Sequence, residues 1–230
     1  MYKSRQIEEV LKKYNDTIEP IMKLGVNRED FVEMDFTKTN QELKNININD
    51  TEAFKAYIQS VLNNYKKLGI GGYGEDRIIY HQSSIFNGGK GKGVRTIHLG
   101  IDIWVPAGTI IYAPINSWVH SFRENNKFGD YGATIVLEHH LNDVTFYTLY
   151  GHLSRSSLNG LQEGMEILKG DDFASIGDSD ENGQWPPHLH FQLISDMLGW
   201  KGDFYGVAPV TDKDYYMNLC PNPEKMLKFE

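Results

Sequence analysis

The sequence predicts a mainly β protein, with an antiparallel sheet core and an N-terminal helical region. Three observations lead there. From Arg95 onward the apolar pattern repeats every two residues, the period of a strand with one buried face. The candidate strands are short and separated by turn formers such as Pro106-Ala107-Gly108, Gly129-Asp130-Tyr131-Gly132, Gly164 and Gly170. Before Gly71-Gly72-Tyr73-Gly74 the apolar residues keep helical spacing instead. A boundary is therefore placed there, giving an N-terminal helical region over 1–74 and a β domain over 75–230, with its core motifs in 95–194.

In the first region, Ile7, Val10, Leu11, Tyr14 and Ile18 hold one helical face up to Pro20, and Gly25 offers a stop. The polar stretch Thr37–Asn49 reads as loop. Asp50 then caps a second helix carrying Phe54, Tyr57, Ile58, Val61, Leu62, Tyr65 and Leu68, which Gly69 ends. The two helices read as a layer packed on a sheet, and the alternative is a lid or pro-segment over a site. The glycines at 71–74 lack the lysine-serine or lysine-threonine ending of a phosphate loop, and Asn87–Gly93 reads as a second loop. Candidate strands follow at Thr96–Val105, Thr109–Ala113, Ser117–Arg123, Ala133–His139, Val144–His152, Asp172–Gly177 and His188–Ile194. The tail after Gly199 is aromatic and loop-like, and Pro221-Asn222-Pro223-Glu224 opens a last short helix.

At 230 residues the chain supports one well-buried core. With 23 basic and 31 acidic residues the formal charge is −8, which argues against nucleic acid or an anionic membrane surface as a partner. Cys220 is the one cysteine, so no internal disulfide forms. The first ten residues hold no signal-like apolar run, and no stretch approaches the length of a membrane span. The expected location is cytoplasmic if Met1 is the native start, and periplasmic or envelope if a leader was removed.

Candidate chemistry sits on two strands. Along Ile97–Val105 the alternation puts Ile97, Leu99, Ile101, Ile103 and Val105 on one face and His98, Gly100, Asp102 and Trp104 on the other. An imidazole and a carboxylate four residues apart on a strand point the same way, with open space over Gly100 between them. In Pro186–Leu193 the same rule places His188, His190 and Gln192 together, with Leu189, Phe191 and Leu193 toward the core. His98, Asp102 and one of His188 or His190 then supply three ligands and leave a fourth corner for water, as a catalytic zinc requires. His152, at the end of another predicted strand, adds a fourth histidine to the same sheet.

His-x-x-x-Asp, then Tyr150-Gly151-His152, then His188-Leu189-His190-Phe191 resembles the LytM/lysostaphin-type zinc metallopeptidases over roughly Arg95–Ile194. Pro106-Ala107-Gly108-Thr109 followed by Tyr112-Ala113-Pro114, the Gly164–Gly177 stretch and the proline before His188 add to the likeness. The resemblance implies a LytM-like core of the duplicated hybrid motif type with the site in a narrow groove. It implies one zinc ion bound by His98, Asp102 and His190, with His152 and His188 acting on water and the developing oxyanion. It further implies hydrolysis of peptide bonds in peptidoglycan-like cross-links or related small peptides. Gly72–Tyr80 also resembles the metallopeptidase-like segment of large polypeptides that carry sugar-kinase-like and aminotransferase parts.

Other residues have plainer expectations. His139 and His140 read as solvated turn residues, while His81 and His120 lack a partner at metal spacing. Glu138 reads as a surface carboxylate or an acceptor for a ligand histidine, Tyr150 as packing or groove lining, and Trp185-Pro186-Pro187 as a groove wall or a rigid loop. Two rival functions share the fold. One is a catalytically silent regulatory or binding module, which the five filled site positions argue against. The other is a sugar-permease-type phosphocarrier, whose phosphorylatable histidine has no use for Asp102.

Overall fold

Alternating apolar residues in the middle of the chain produce strands, and their register fixes where the polar faces meet. The computed structural model describes residues 2–82 and 94–229. The loop expected over Asn87–Gly93 lies outside the described residues, as does the side chain of His81. The strands are β1 (Val32–Met34), β2 (Gly69–Gly71), β3 (Arg95–His98), β4 (Ile101–Trp104), β5 (Ile110–Tyr112) and β6 (Ser117–Asn125). They continue with β7 (Gly132–Leu141), β8 (Val144–Leu153), β9 (Glu166–Ile167), β10 (Asp172–Ser175), β11 (Leu189–Ile194) and β12 (Val207–Pro209). Eight of them form one sheet in the order β1-β2-β4-β11-β8-β7-β6-β9. Within it only β1 and β2 run parallel, so the sheet is antiparallel as expected. Two smaller pairs, β5 with β10 and β3 with β12, flank it.

The helices are α1 (Tyr2–Lys13), α2 (Thr51–Val61) and α3 (Lys213–Leu219). Helix α1 lays Ile7 and Leu11 into the main core with Ile135, Leu137 and Phe146. It ends at Lys13 rather than continuing to Pro20, and Asn15–Thr17 follows as a single tight turn. Asp50 caps α2 as predicted, accepting from the Ala53 amide at 3.0 Å. That helix stops at Val61 and not near Gly69, because Asn63, Asn64 and Tyr65 all adopt positive φ, which no right-handed helix accommodates. Phe54, Ile58 and Leu62 pack with Phe36, Trp104 and Trp185, so α2 buttresses one side of the sheet.

Further sequence expectations need correction: the tail after Gly199, expected to be loop-like, instead forms β12 and helix α3 because its aromatic and apolar residues pack against β3 and the core. The strand expected over Thr96–Val105 is two strands broken at Leu99-Gly100, and its apolar row divides accordingly. Ile97 and Leu99 join Val136, Leu149 and Ile194, whereas Ile101, Ile103 and Val105 join the main core. The space expected over Gly100 is not open: a Cβ there would meet the His190 ring at 2.7 Å and the Phe191 carbonyl at 2.8 Å. His139 is no turn residue, because β7 runs on to Leu141 and buries it completely. Its ring lies 2.7 Å from Thr148 Oγ1 and stacks on Phe146. His140 does stay at the surface, beside Glu138 at 2.8 Å. Strands β1 and β2 were also unanticipated, and they carry the sheet into the N-terminal region.

Burial holds the His139 ring neutral, with its pKa lowered to about 3. The unfolded chain, titrating near 6.5, then takes up a proton that the folded chain refuses. Stability is therefore full above about pH 6.5 and falls as pH drops toward 3. We predict that urea unfolding of His139→Gln loses roughly 1–2 kcal/mol less than wild type between pH 7 and pH 5.

Candidate metal centre

Asp102 sits in the middle of β4 with Gly71 of β2 directly opposite on one side and His190 of β11 on the other. Strand alternation turns all three toward one face, away from Ile101, Ile103 and Phe191 in the core. His98 arrives from the end of β3. Its backbone amide donates to the Glu75 carbonyl at 2.9 Å, and its carbonyl accepts from the Gly74 amide at 2.8 Å.

These elements bring His98, Asp102 and His190 together, all buried. His98 Nε2 lies 3.0 Å from His190 Nδ1 and 3.2 Å from Asp102 Oδ1, and His190 Nδ1 lies 3.1 Å from Asp102 Oδ1. Nitrogen and oxygen donors at tetrahedral corners around a zinc ion are about 3.3 Å apart. The residues present therefore fit such an ion by spacing and by type.

Neighbouring acceptors set the tautomers. His98 donates its Nδ1 proton to the Gly72 carbonyl at 3.1 Å, which leaves Nε2 as the lone-pair nitrogen facing Asp102 and His190. His190 donates from Nε2 to Gln192 Oε1 at 2.9 Å, which leaves Nδ1 facing inward. Gln192 is itself oriented, because its amide nitrogen donates to the Tyr205 carbonyl at 3.0 Å and toward Cys220 Sγ at 3.2 Å. Tyr131 Oη also lies 3.4 Å from His190 Nε2. Glycines at 151 and 206 make room for that tyrosine, since a Cβ would meet its ring at 2.6 Å or its hydroxyl at 2.1 Å.

His152 and His188 stand beside this trio, with ring centroids 4.2 Å apart. His152 donates Nδ1–H to the Asn182 carbonyl at 2.8 Å, and His188 donates Nδ1–H to the Pro186 carbonyl at 2.7 Å. Each thus keeps an unprotonated Nε2. Trp104 stacks on His188 at 4.1 Å with the planes 18° apart. His152 adopts φ +62° at the end of β8, an uncommon conformation for a residue with a Cβ. Its backbone amide is held by the Tyr131 carbonyl at 2.7 Å. Asp102, His152, His188 and His190 all line a groove walled by Trp185 and Tyr205. None of the described residues before Arg77 lines it. Tyr150 is packing, with Phe173 and Phe191 against its ring.

Electrostatics follow from burial. Burial pushes His98 and His188 down to about 4 and His152 well below the usual value, so these imidazoles are neutral. Burial alone would raise the Asp102 carboxyl, but the neighbouring positive charge of the Arg77 guanidinium outweighs it and holds it well below the usual carboxylate range. Arg77 is the contact that reading the sequence missed. It is 1% exposed and donates from Nη1 to Asp102 Oδ2 and from Nε to Glu75 Oε2 at 2.7 Å.

Residues 96–200 match the model of Peptidase family M23. This segment is M23-like. A zinc-containing peptidase from Vibrio cholerae is 28% identical, over 43% of this chain and 27% of that one, with a TM-score of 0.35. A protein from Pseudomonas aeruginosa described as an M23 peptidase is 20% identical, over 56% of this chain and 43% of that one, with a TM-score of 0.38. The chain thus spans less than half the length of either. The catalytic domain of lysostaphin from Staphylococcus simulans is 22% identical, over 68% of this chain and 96% of that domain, with a TM-score of 0.42. No curated protein matches the chain. Within the M23-like segment lie all five site histidine and aspartate positions expected from the sequence.

Replacing Gln192 by Leu removes the main acceptor of the His190 proton and frees the tautomer. We predict zinc affinity about 10–100-fold lower, measured by competition with a chromogenic chelator. Retained affinity would show that Gln192 does not orient the ligand.

Proposed function

We propose that the protein is a zinc-dependent peptidase cleaving amide bonds in peptidoglycan-like cross-links or related small peptides. The observation that carries this reading is the convergence of three buried donors beside two further histidines, each with its Nε2 lone pair left free by a carbonyl on its Nδ1. The match of 96–200 to Peptidase family M23 supports the same class of reaction.

In this reading His98 Nε2, Asp102 Oδ1 and His190 Nδ1 hold the ion. When bound, zinc supplies Lewis acidity and brings the pKa of water near neutrality. His152 and His188 divide the remaining work. A neutral imidazole takes the proton released by the attacking water, and an imidazole N–H stabilises the oxyanion and returns a proton to the departing amine. Their carbonyl partners hold both rings in the tautomer that accepts at Nε2 first. Trp104 and Trp185 exclude solvent on one side of the pair, which strengthens each of these interactions. The charge of −8 disfavours nucleic acid as a substrate.

The test is hydrolysis of short peptides and cross-linked muropeptides by zinc-loaded protein. We predict that His152→Ala and His188→Ala each lower kcat at least about 100-fold while zinc stays bound. Undiminished turnover in His188→Ala would remove its assigned role.

A further inference from the structure

Among the described residues, Arg77 places the one guanidinium within hydrogen-bonding reach of Asp102, and it lies upstream of the M23-like segment. Two atoms of its fork are committed on opposite sides. Nη1 binds the Asp102 oxygen that does not face His98 and His190, and Nε binds Glu75 Oε2. Nη1 also meets Tyr80 Oη at 3.1 Å. Glu75 is anchored in turn, because its other oxygen accepts from the Phe36 amide at 3.0 Å. The Phe36 ring lies beneath the guanidinium, 5.1 Å from its central carbon. Phe36 packs against Phe54 of α2 and against Trp104, the residue stacked on His188. A continuous set of contacts therefore runs from the N-terminal region to Asp102.

We propose that Arg77 is a positioning residue for the metal centre, held in place by Glu75 and Phe36, so that metal binding depends on the region preceding the M23-like segment. The inference rests on the zinc reading above. A carboxylate free to rotate presents either oxygen, or both, to an ion. With Oδ2 tied to Arg77, Asp102 offers Oδ1 alone at the corner set by His98 and His190. A planar fork that joins two carboxylates at once is a task for arginine, and lysine, with one point-like ammonium, does not reproduce it. Gly71, opposite Asp102, leaves the space the fork needs, since a Cβ there would come within 3.0 Å of Nη2. A guanidinium serving only to neutralise buried charge would be replaced by lysine, which keeps that charge, with no large change in the affinity of the folded protein for a metal.

The test uses the full chain as wild type, Arg77→Lys and Glu75→Gln, with three readouts. These are zinc affinity by chelator competition, the visible absorption of the cobalt(II)-substituted protein, and thermal unfolding of the metal-free form. We expect Arg77→Lys to bind zinc about 10–100-fold more weakly and to shift the cobalt bands, in protein that still unfolds cooperatively. Glu75→Gln, which loosens the fork from its far side, should give a smaller loss of at least about threefold. A folded Arg77→Lys with zinc affinity within about threefold of wild type and an unaltered cobalt spectrum would overturn the proposal. Should Arg77→Lys fail to fold, Glu75→Gln decides: unchanged affinity overturns, weakened affinity supports. Wild-type protein that binds no zinc would remove the metal reading itself, whereas a difference confined to the variants bears on Arg77 alone.

Discussion

A carboxylate buried on an interior strand of an eight-stranded sheet is the constraint around which this molecule is built. Asp102 is 2% exposed, and an ionised carboxylate without partners would be too costly there. Arg77 meets that cost by supplying a full positive charge to one oxygen, while the other faces the lone-pair nitrogens of His98 and His190, an arrangement suited to a cation. Arg77, joined to Glu75 and packed on Phe36, links Asp102 to the stretch before β3 and to the N-terminal region. Losing one partner of such a buried pair typically costs about 3–5 kcal/mol, far more than an exposed ion pair contributes.

The same assembly holds the candidate catalytic and metal-binding residues in one cluster. His190 is opposite both Asp102 and Gly151, so β11 is clamped between β4 and β8. His152 is the residue after Gly151, and Tyr131 fills the space that glycine leaves. Trp104, two residues after Asp102, points to the same face and stacks on His188. Side chains from β4, β8 and β11 are therefore held at distances that a one-residue slip in any strand would destroy. Gln192 and the carbonyls of Gly72, Asn182 and Pro186 then select one tautomer for each imidazole.

Much of this was legible in the sequence, because strand alternation is a local rule. It placed His98 with Asp102 and His188 with His190, and it put Trp104 and Gln192 on the site face. What alternation does not carry is a break in a strand. Gly100 interrupts the expected run because the His190 ring occupies the volume of its missing Cβ, a contact ninety positions away in sequence. The three-residue strands β1 and β2 show no periodicity of their own, and their pairing is set by neighbours. Arg77 reads as an ordinary charged residue in a polar stretch, and only its fully buried position reveals an ion pair. His139 stands beside an exposed histidine at a strand end, and its burial depends on how far β7 continues past it.

Anomalous X-ray diffraction from crystals grown with zinc tests the account most directly. One peak is expected, about 2.0–2.2 Å from His98 Nε2, Asp102 Oδ1 and His190 Nδ1, with His152 and His188 outside that distance. A peak bound instead by the nitrogens of His152 and His188, or no peak among these side chains at saturating zinc, would contradict it.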